Sequence, residues 1–412
     1  MTTTIIIICV LLLFAYIFDI SAAKTKIPSV ILLLTLGYVA KLFANFLEVD
    51  IPNLDNTLPI LGTVGLILIV LEGSLELDVN RSKMKLIGQT TAMSLIPLFI
   101  FSFGFAYYLN HYQDIPYKIA LVNAIPLSII SSSIAIPSVH HLTSYNKEFI
   151  TYESSLSDIF GVVFFNFVAL NEVINAQTYQ RFGIQIIIML LVTFITTLGL
   201  AYLLSKIKHH VKYAPIILMT VLIYTVAKDY HLPSLLFILL FGIFLGNLDE
   251  MKDNKYIKKL RPEILTKEVQ KFKELTTEIA FLIRAVFFLL FGYLIETREL
   301  LNYRTVLWAI GICLVLFVLR SIFLLILRIS WMPIAFIFPR GLITILLFLS
   351  IPEQYSLDII NKSLIIQIII LSALIMMTGL MSNKTVDVVP EKVKIAEDNS
   401  TEDKKEEEED KI

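Results

Sequence analysis

Charge is scarce in this sequence. Asp, Glu, Lys and Arg make up 17% of its 412 residues while 57% are apolar, against about 25% charged in a soluble domain. A water-soluble fold has no place for so much apolar side chain, so the excess must face lipid. Cysteine is nearly absent: Cys9 and Cys313 both lie inside apolar runs, which argues against a disulfide framework or a cysteine-ligated metal centre. Nor does the first apolar run carry the marks of a cleavable leader. The first apolar run has no basic n-region, carries Asp19 and is followed by no clear small-residue cleavage site, so it reads as the first span. The net charge of −1 says nothing of partners, because acids and bases are segregated between loops and tail.

What the sequence does have is hydrophobic runs of about 20 residues from end to end, long enough to cross a hydrocarbon core of about 30 Å. Counting between polar breaks predicts about thirteen spans, near 4–22, 27–46, 57–75, 86–110, 116–142, 149–174, 183–205, 213–227, 232–248, 277–295, 303–327, 329–352 and 363–382. The expected fold is an all-α polytopic membrane protein with one transmembrane domain, residues 1–382. An acidic tail, 383–412, ends in EEEEDKI and is too polar to fold alone. Eighteen basic residues fall in the odd-numbered loops against six in the even-numbered ones. The positive-inside rule then puts the N-terminus outside and the C-terminus in the cytoplasm. The longest connection, Asp249 to Glu278, mixes Lys and Glu and reads either as a cytoplasmic amphipathic helix or as a solvated linker.

An ionisable side chain at mid-membrane costs about 2.5–3.5 kcal/mol to insert, so each needs a partner, a wet cavity or a task. The candidates are Glu72, Glu153, Asp158, Arg284, Arg320 and Arg340. Glu153 and Asp158 lie five residues apart, about 140° around a helix, and cannot share one narrow face. Ser154 and Asp158, at i and i+4, do share one, where hydroxyl and carboxylate oxygens could replace the water around a hard cation. Desolvation penalises a charged carboxylate, so one at this depth can hold a proton near neutral pH. A group able to hold either a proton or a cation is the minimum machinery of an exchanger. The bland alternative is a structural pair between Asp158 and an arginine of the bundle. Arg284 could snorkel beside Glu278, and His140 and His141 read as a solvated or capping pair rather than a pH sensor.

Two spans are interrupted. The fifth has Pro126 and Pro137 around Ser131, Ser132 and Ser133, and the twelfth has Pro339, Arg340 and Gly341 at its middle. Paired broken spans point to a transporter binding site, because they present helix ends and free carbonyls to ions.

At these residues the chain resembles the monovalent cation:proton antiporter family, in its sodium/proton branch. ESSLSD at 153–158 is similar to the ESLLND-type signature of the sixth span, PRGLIT around Arg340 to the twelfth-span motif, LEGSLELD at 71–78 to the third, VLRSIF around Arg320 to the eleventh, and FFLLFGYLIE at 287–296 to the tenth. The resemblance implies that Asp158 is the ion-binding carboxylate, with Ser154 as a ligand. It also implies that Glu153 is a structural acid paired with Arg340, that Glu72 is a buried acid able to add a second site, and that Arg320 is a basic residue without an obvious partner. The TDPVAV stretch of the fifth span is replaced by serines, leaving Ser131 and Ser132 with hydroxyl and carbonyl oxygens as ion ligands. Ser157 stands where the electrogenic branch has a second aspartate, which favours electroneutral exchange.

The implied architecture has inverted repeats, two broken helices crossing at mid-membrane, a dimerisation half and a mobile ion-carrying half working by alternating access. The expectation is a secondary antiporter, not an enzyme. It would exchange Na+ or K+ for H+ in pH homeostasis, with membrane lipid and a second copy of the chain as partners, no cofactor and no nucleic acid, in the plasma or inner membrane. The alternatives are a channel or sensor on the same scaffold and a proton-coupled transporter of a small organic solute. The first would need a continuous polar pore. The second would need a larger cavity with aromatic and hydrogen-bonding walls.

Overall fold

In lipid each backbone N–H and C=O must be satisfied within the protein, so segments this apolar fold as helices. The computed structural model describes residues 2–46, 54–139, 142–172, 175–206, 212–248 and 262–382, and no strand occurs among them. The helices are α1 (Thr2–Thr25), α2 (Ser29–Phe46), α3 (Leu54–Leu75), α4 (Met84–Gln113), α5 (Tyr117–Ser128), α6 (Ser132–Ser138), α7 (Ser144–Leu170) and α8 (Ala176–Lys206), continuing with α9 (Tyr213–Asp229), α10 (Ser234–Gly246), α11 (Pro262–Leu294), the single turn α12 (Thr297–Leu300), α13 (Tyr303–Ile326), α14 (Leu342–Leu349) and α15 (Lys362–Ser382). Among the described residues nine segments are long and apolar enough to cross a membrane, and Cys9–Ala22 and Ser234–Gly246 are shorter apolar helices. His140, His141, residues 249–261 and the tail from 383 lie outside the described residues.

Two helix groups pack against each other. In the first, α11 lies along α2 and α3, and α10 joins α3 to α8 and α9. Gly37 of α2 faces the Leu289 carbonyl, and Gly292 of α11 faces the backbone of Leu34. A Cβ at either position would overlap the facing backbone, so these glycines set the close crossing of α2 and α11. In the second group α4 packs on α5, α7 and α13, α15 packs on α13, and α14 sits against α5 and α7. Large exposed apolar side chains such as Leu191 and Phe194 on α8, or Leu307 and Leu314 on α13, form the lipid-facing surface.

Both predicted interruptions are present. The fifth span is α5 and α6 separated by Ile129–Ser131, with Ile129 and Ser131 extended. Here Pro126 deprives the last turn of one N–H, and serine hydroxyls compete for backbone groups. The twelfth span is less helical than its apolar run suggests. Between 329 and 352 the only α-helix is Leu342–Leu349, preceded by a 3-10 turn at Ile334–Phe336, because Pro333 and Pro339 lack N–H groups and each bends the residue before it toward extended backbone. Part of the long connection is settled as helix: Pro262 opens α11, which runs unbroken to Leu294 and absorbs the expected tenth span.

Candidate functional site

Breaking a helix at mid-membrane leaves carbonyls at one new end and N–H groups at the other without helical partners. At the break between α5 and α6 both sets are satisfied by side chains of opposite charge. The Arg340 guanidinium donates from Nε to the Leu127 carbonyl (2.7 Å), from Nη2 to the Ser128 carbonyl (3.3 Å) and from Nη1 to its own neighbour, the Phe338 carbonyl (2.6 Å). A cation is thereby placed at the carbonyl end of α5, where the helix dipole is negative. On the other side of the break Asp158 of α7 accepts from the Ser132 N–H at 3.2 Å and from the Ser132 hydroxyl, both on Oδ2. The neighbouring Ser157 hydroxyl accepts the Ile130 N–H at 3.0 Å. The two broken spans meet directly: the Ser131 N–H donates to the Pro339 carbonyl at 2.9 Å, and Arg340 N–H donates to Ser372 Oγ of α15 at 2.9 Å.

Asp158 is 1% exposed, and its second oxygen, Oδ1, makes no hydrogen bond. Further buried hydroxyls without a hydrogen bond are Thr151, Ser155 and Thr344, together with Thr193, Thr197 and Ser321 elsewhere in the fold. Thr151, Ser155 and Asp158 stand at i, i+4 and i+7 on α7 and so form one stripe. Buried polar atoms are nearly always bonded, so this row is an exception that asks for a ligand. Ser155 lies under Gly73 of α3, where an added Cβ would come within 2.9 Å of its oxygen. The stripe thus runs along the seam between the two helix groups. On the Ser157 face of α7, a cavity of about 20 Å³ between Ser94, Ser128, Ser157, Arg320 and Arg340 has room for about one water. No group of three or more His, Cys, Asp or Glu able to hold a metal ion occurs among the described residues. The oxygen-only set at Asp158 suits an alkali cation as a passing substrate.

The remaining ionisable groups are paired differently from the sequence expectation. Glu153 does not pair with Arg340. Its two carboxylate oxygens receive Arg320 Nη1 and Nη2 of α13 at 2.5 and 2.7 Å, while Arg320 Nε donates to the Ile334 carbonyl at 2.9 Å. Arg320, expected to lack a partner, therefore holds Glu153, and Arg340 is left to carbonyls. Glu72 pairs with Arg284 of α11 at 3.8 Å, so Arg284 does not turn to Glu278. The reason is helical: Gly73 faces α7, and one residue back along α3 is a turn of about 100°, which carries Glu72 toward α11 and away from Asp158. Ser154 donates to the Ile150 carbonyl of its own helix at 2.7 Å, which leaves lone pairs of its oxygen for a cation. Ser131 and Ser133 hydroxyls bond each other at 2.8 Å. The structure thus brings Ser132, Ser157 and Asp158 together at the break and sets Glu72 apart. Thr151 and Ser155 were missed in the sequence, although their spacing from Asp158 was there to be read.

Comparison with known proteins gives these positions a context. Residues 9–384 match the sodium/hydrogen exchanger transmembrane family. The chain belongs to the sodium/hydrogen exchanger family. It is accordingly a multi-pass integral membrane protein and a cation:proton antiporter. Among solved structures, the sodium proton antiporter MjNhaP1 from Methanocaldococcus jannaschii, determined at pH 8, is similar in fold with a TM-score of 0.68 at 19% identity, over 92% of this chain and 99% of the other. An electron-microscopy map of the same antiporter matches with a TM-score of 0.67 at 19% identity, over 93% and 99%. A search of curated proteins finds no match.

Proposed function

We propose that Asp158 is the group that H+ and Na+ occupy in turn, and that exchange follows from their competition for it. The observation that carries this reading is the asymmetry of the carboxylate: Oδ2 is anchored to Ser132 at the helix break, and Oδ1 is buried without a partner. The first oxygen fixes the geometry and the second receives the proton or the ion, with Ser154 and Ser155 within the adjoining turn of α7 as hydroxyl ligands. In proteoliposomes Asp158→Asn keeps the shape and one oxygen but cannot ionise, so Na+-driven pH change should be abolished while the protein remains folded. Wild-type exchange in that variant would sink the proposal. Repeating the wild-type assay with Na+, Li+ and K+ over a pH series decides whether K+ is also a substrate.

Exchange is one monovalent ion for one proton. Support comes from the count of free carboxylates at the crossing: Glu153 is bound to Arg320, Glu72 lies against Arg284, and Ser157 is committed to the Ile130 N–H. Asp158 alone keeps a buried carboxylate oxygen without a partner among the described residues. A membrane potential imposed with valinomycin should leave the rate of Na+-driven pH change unaltered. Acceleration or slowing with voltage would mean that net charge moves, and the single-carboxylate count would fail.

The wider arrangement we assign is thirteen crossings within residues 1–382, related as inverted repeats, with the N-terminus outside, the C-terminal tail 383–412 in the cytoplasm, and two copies forming a homodimer through the α2–α3–α11 group. Cross-linking of single cysteines on that group in membranes tests the last assignment.

A further inference from the structure

On the lipid-facing side of their group, α4 and α13 diverge and leave an open apolar cleft of about 850 Å³. At one end the helices are locked together by aromatic rings: Trp308 stands edge-on to Phe105 and Tyr108, with centroids 6.3 and 6.0 Å away. Below that lock the cleft is lined by residues such as Ile100, Ile312 and Val315. Two glycines face its open space, since a Cβ on Gly104 of α4 or Gly311 of α13 would meet nothing within 4 Å. Along α13 it runs from Arg304 to Leu319, about 22 Å at 1.5 Å per residue, which exceeds the depth of one leaflet, about half of a 30 Å hydrocarbon core.

The polar end of the cleft is specific. Arg304 lines it, with its guanidinium over the Tyr303 ring at 5.9 Å and Nε donating to the Tyr303 hydroxyl at 3.3 Å. No carboxylate pairs with it among the described residues. A cation with spare donors stands at the aromatic level, where headgroups lie, above an apolar channel of acyl-chain depth. The occupant must then carry an anion at one end and hydrocarbon along the rest. We propose that the α4–α13 cleft is a binding site for one anionic phospholipid, its phosphate on Arg304 and an acyl chain over Gly104 and Gly311. A second copy of the chain would present a ridge of side chains rather than an amphiphile with its charge at one end, and it is an outcome the test separates.

Trp308 supplies the probe, because the chain has two tryptophans and Trp331→Phe leaves it as the sole one. The full-length protein is reconstituted in phosphatidylcholine with rising fractions of brominated phosphatidylglycerol or brominated phosphatidylcholine, and quenching of Trp308 is followed. Half-quenching should need about fivefold less of the anionic lipid, the factor one basic residue gives near an anionic headgroup. Arg304→Gln should erase that preference while leaving quenching by the zwitterionic lipid in place. Gly311→Leu, or Gly104→Leu should the first misfold, should fill the cleft and weaken quenching by both lipids. Exchange in pure phosphatidylcholine should be unchanged in these variants, none of which touches Asp158 or its partners. Equal quenching by the two lipids, or a preference that survives Arg304→Gln, overturns the proposal. A change in oligomeric state on filling the cleft overturns it as well, by making the cleft an interface between copies.

Discussion

Arg320 and Arg340 are buried to nearly the same degree, 3% and 2% exposed, yet they are neutralised in opposite ways. Arg320 meets a carboxylate on another helix in a two-pronged bond and ties α13 to α7. Arg340 meets no carboxylate and is satisfied by three carbonyls, two of them freed by the break in the fifth span. One arginine completes an ion pair that could be replaced as a pair. The other completes a backbone that has been interrupted, and its partners cannot be mutated away. Interrupting a helix in lipid is tolerable only where something else satisfies the freed groups, and here that something is a side chain from the second interruption.

The contrast can be broken by substitution. The largest effect is expected at Arg340→Ala, which strands three carbonyls at about 1–3 kcal/mol each. Little folded protein should be recovered in size-exclusion profiles, and no second change at Glu153 should restore it. Rescue by Glu153→Gln would mean that Arg340 is an ion-pair member after all. Next come Glu153→Gln and Arg320→Gln taken singly, each leaving one buried charge unpaired at about 3–5 kcal/mol. The double variant Glu153→Leu/Arg320→Met should recover most of that loss, short of about 1–3 kcal/mol for the Ile334 carbonyl that Arg320 Nε also serves. A double variant no better than its parents would show that the fork does more than neutralise. Smallest is Ser132→Ala, which removes one hydroxyl bond to Asp158 Oδ2 and leaves the N–H bond. At about 0.5–1.5 kcal/mol, the apparent KM for Na+ should rise roughly 2- to 10-fold with the melting temperature little changed. An unchanged KM would show that Ser132 does not orient the carboxylate.

Much of this was legible in the sequence because lipid makes polar residues conspicuous. Asp158, the serines at 131–133 and the Pro339–Gly341 interruption stand out against apolar runs, and the structure assembles them at one crossing. What the sequence could not show was the choice of partner across helices. Glu153 had two arginines within the bundle to choose from, and helical spacing gives the face a residue occupies but not which neighbour arrives there. The choice fell to Arg320 because α4 packs against both α13 and α7, bringing those two helices to one neighbourhood. Glu72 shows the same limit on a smaller scale. Its position beside Gly73 was visible, but which of the two faced α7 depended on a close contact only the fold reveals. Thr151 and Ser155 escaped notice because hydroxyls inside helices usually bond back to their own turn, as Ser154 does.

Arg340's hold on the Leu127 and Ser128 carbonyls also bears on which ions the antiporter can tell apart. Rigid rings of carbonyl oxygens are what selective channels use in place of a cation's hydration shell, and at this break the candidate carbonyls are already spent on a guanidinium. If Asp158 is the ion site, as proposed above, an arriving ion finds one free carboxylate oxygen and a few hydroxyls, fewer ligands than a fully dehydrated alkali cation needs. It therefore keeps some of its own water. Discrimination then rests on how readily each ion gives up the rest of its shell, so the order of preference among Li+, Na+ and K+ is written in their dehydration energies rather than in the width of a cage.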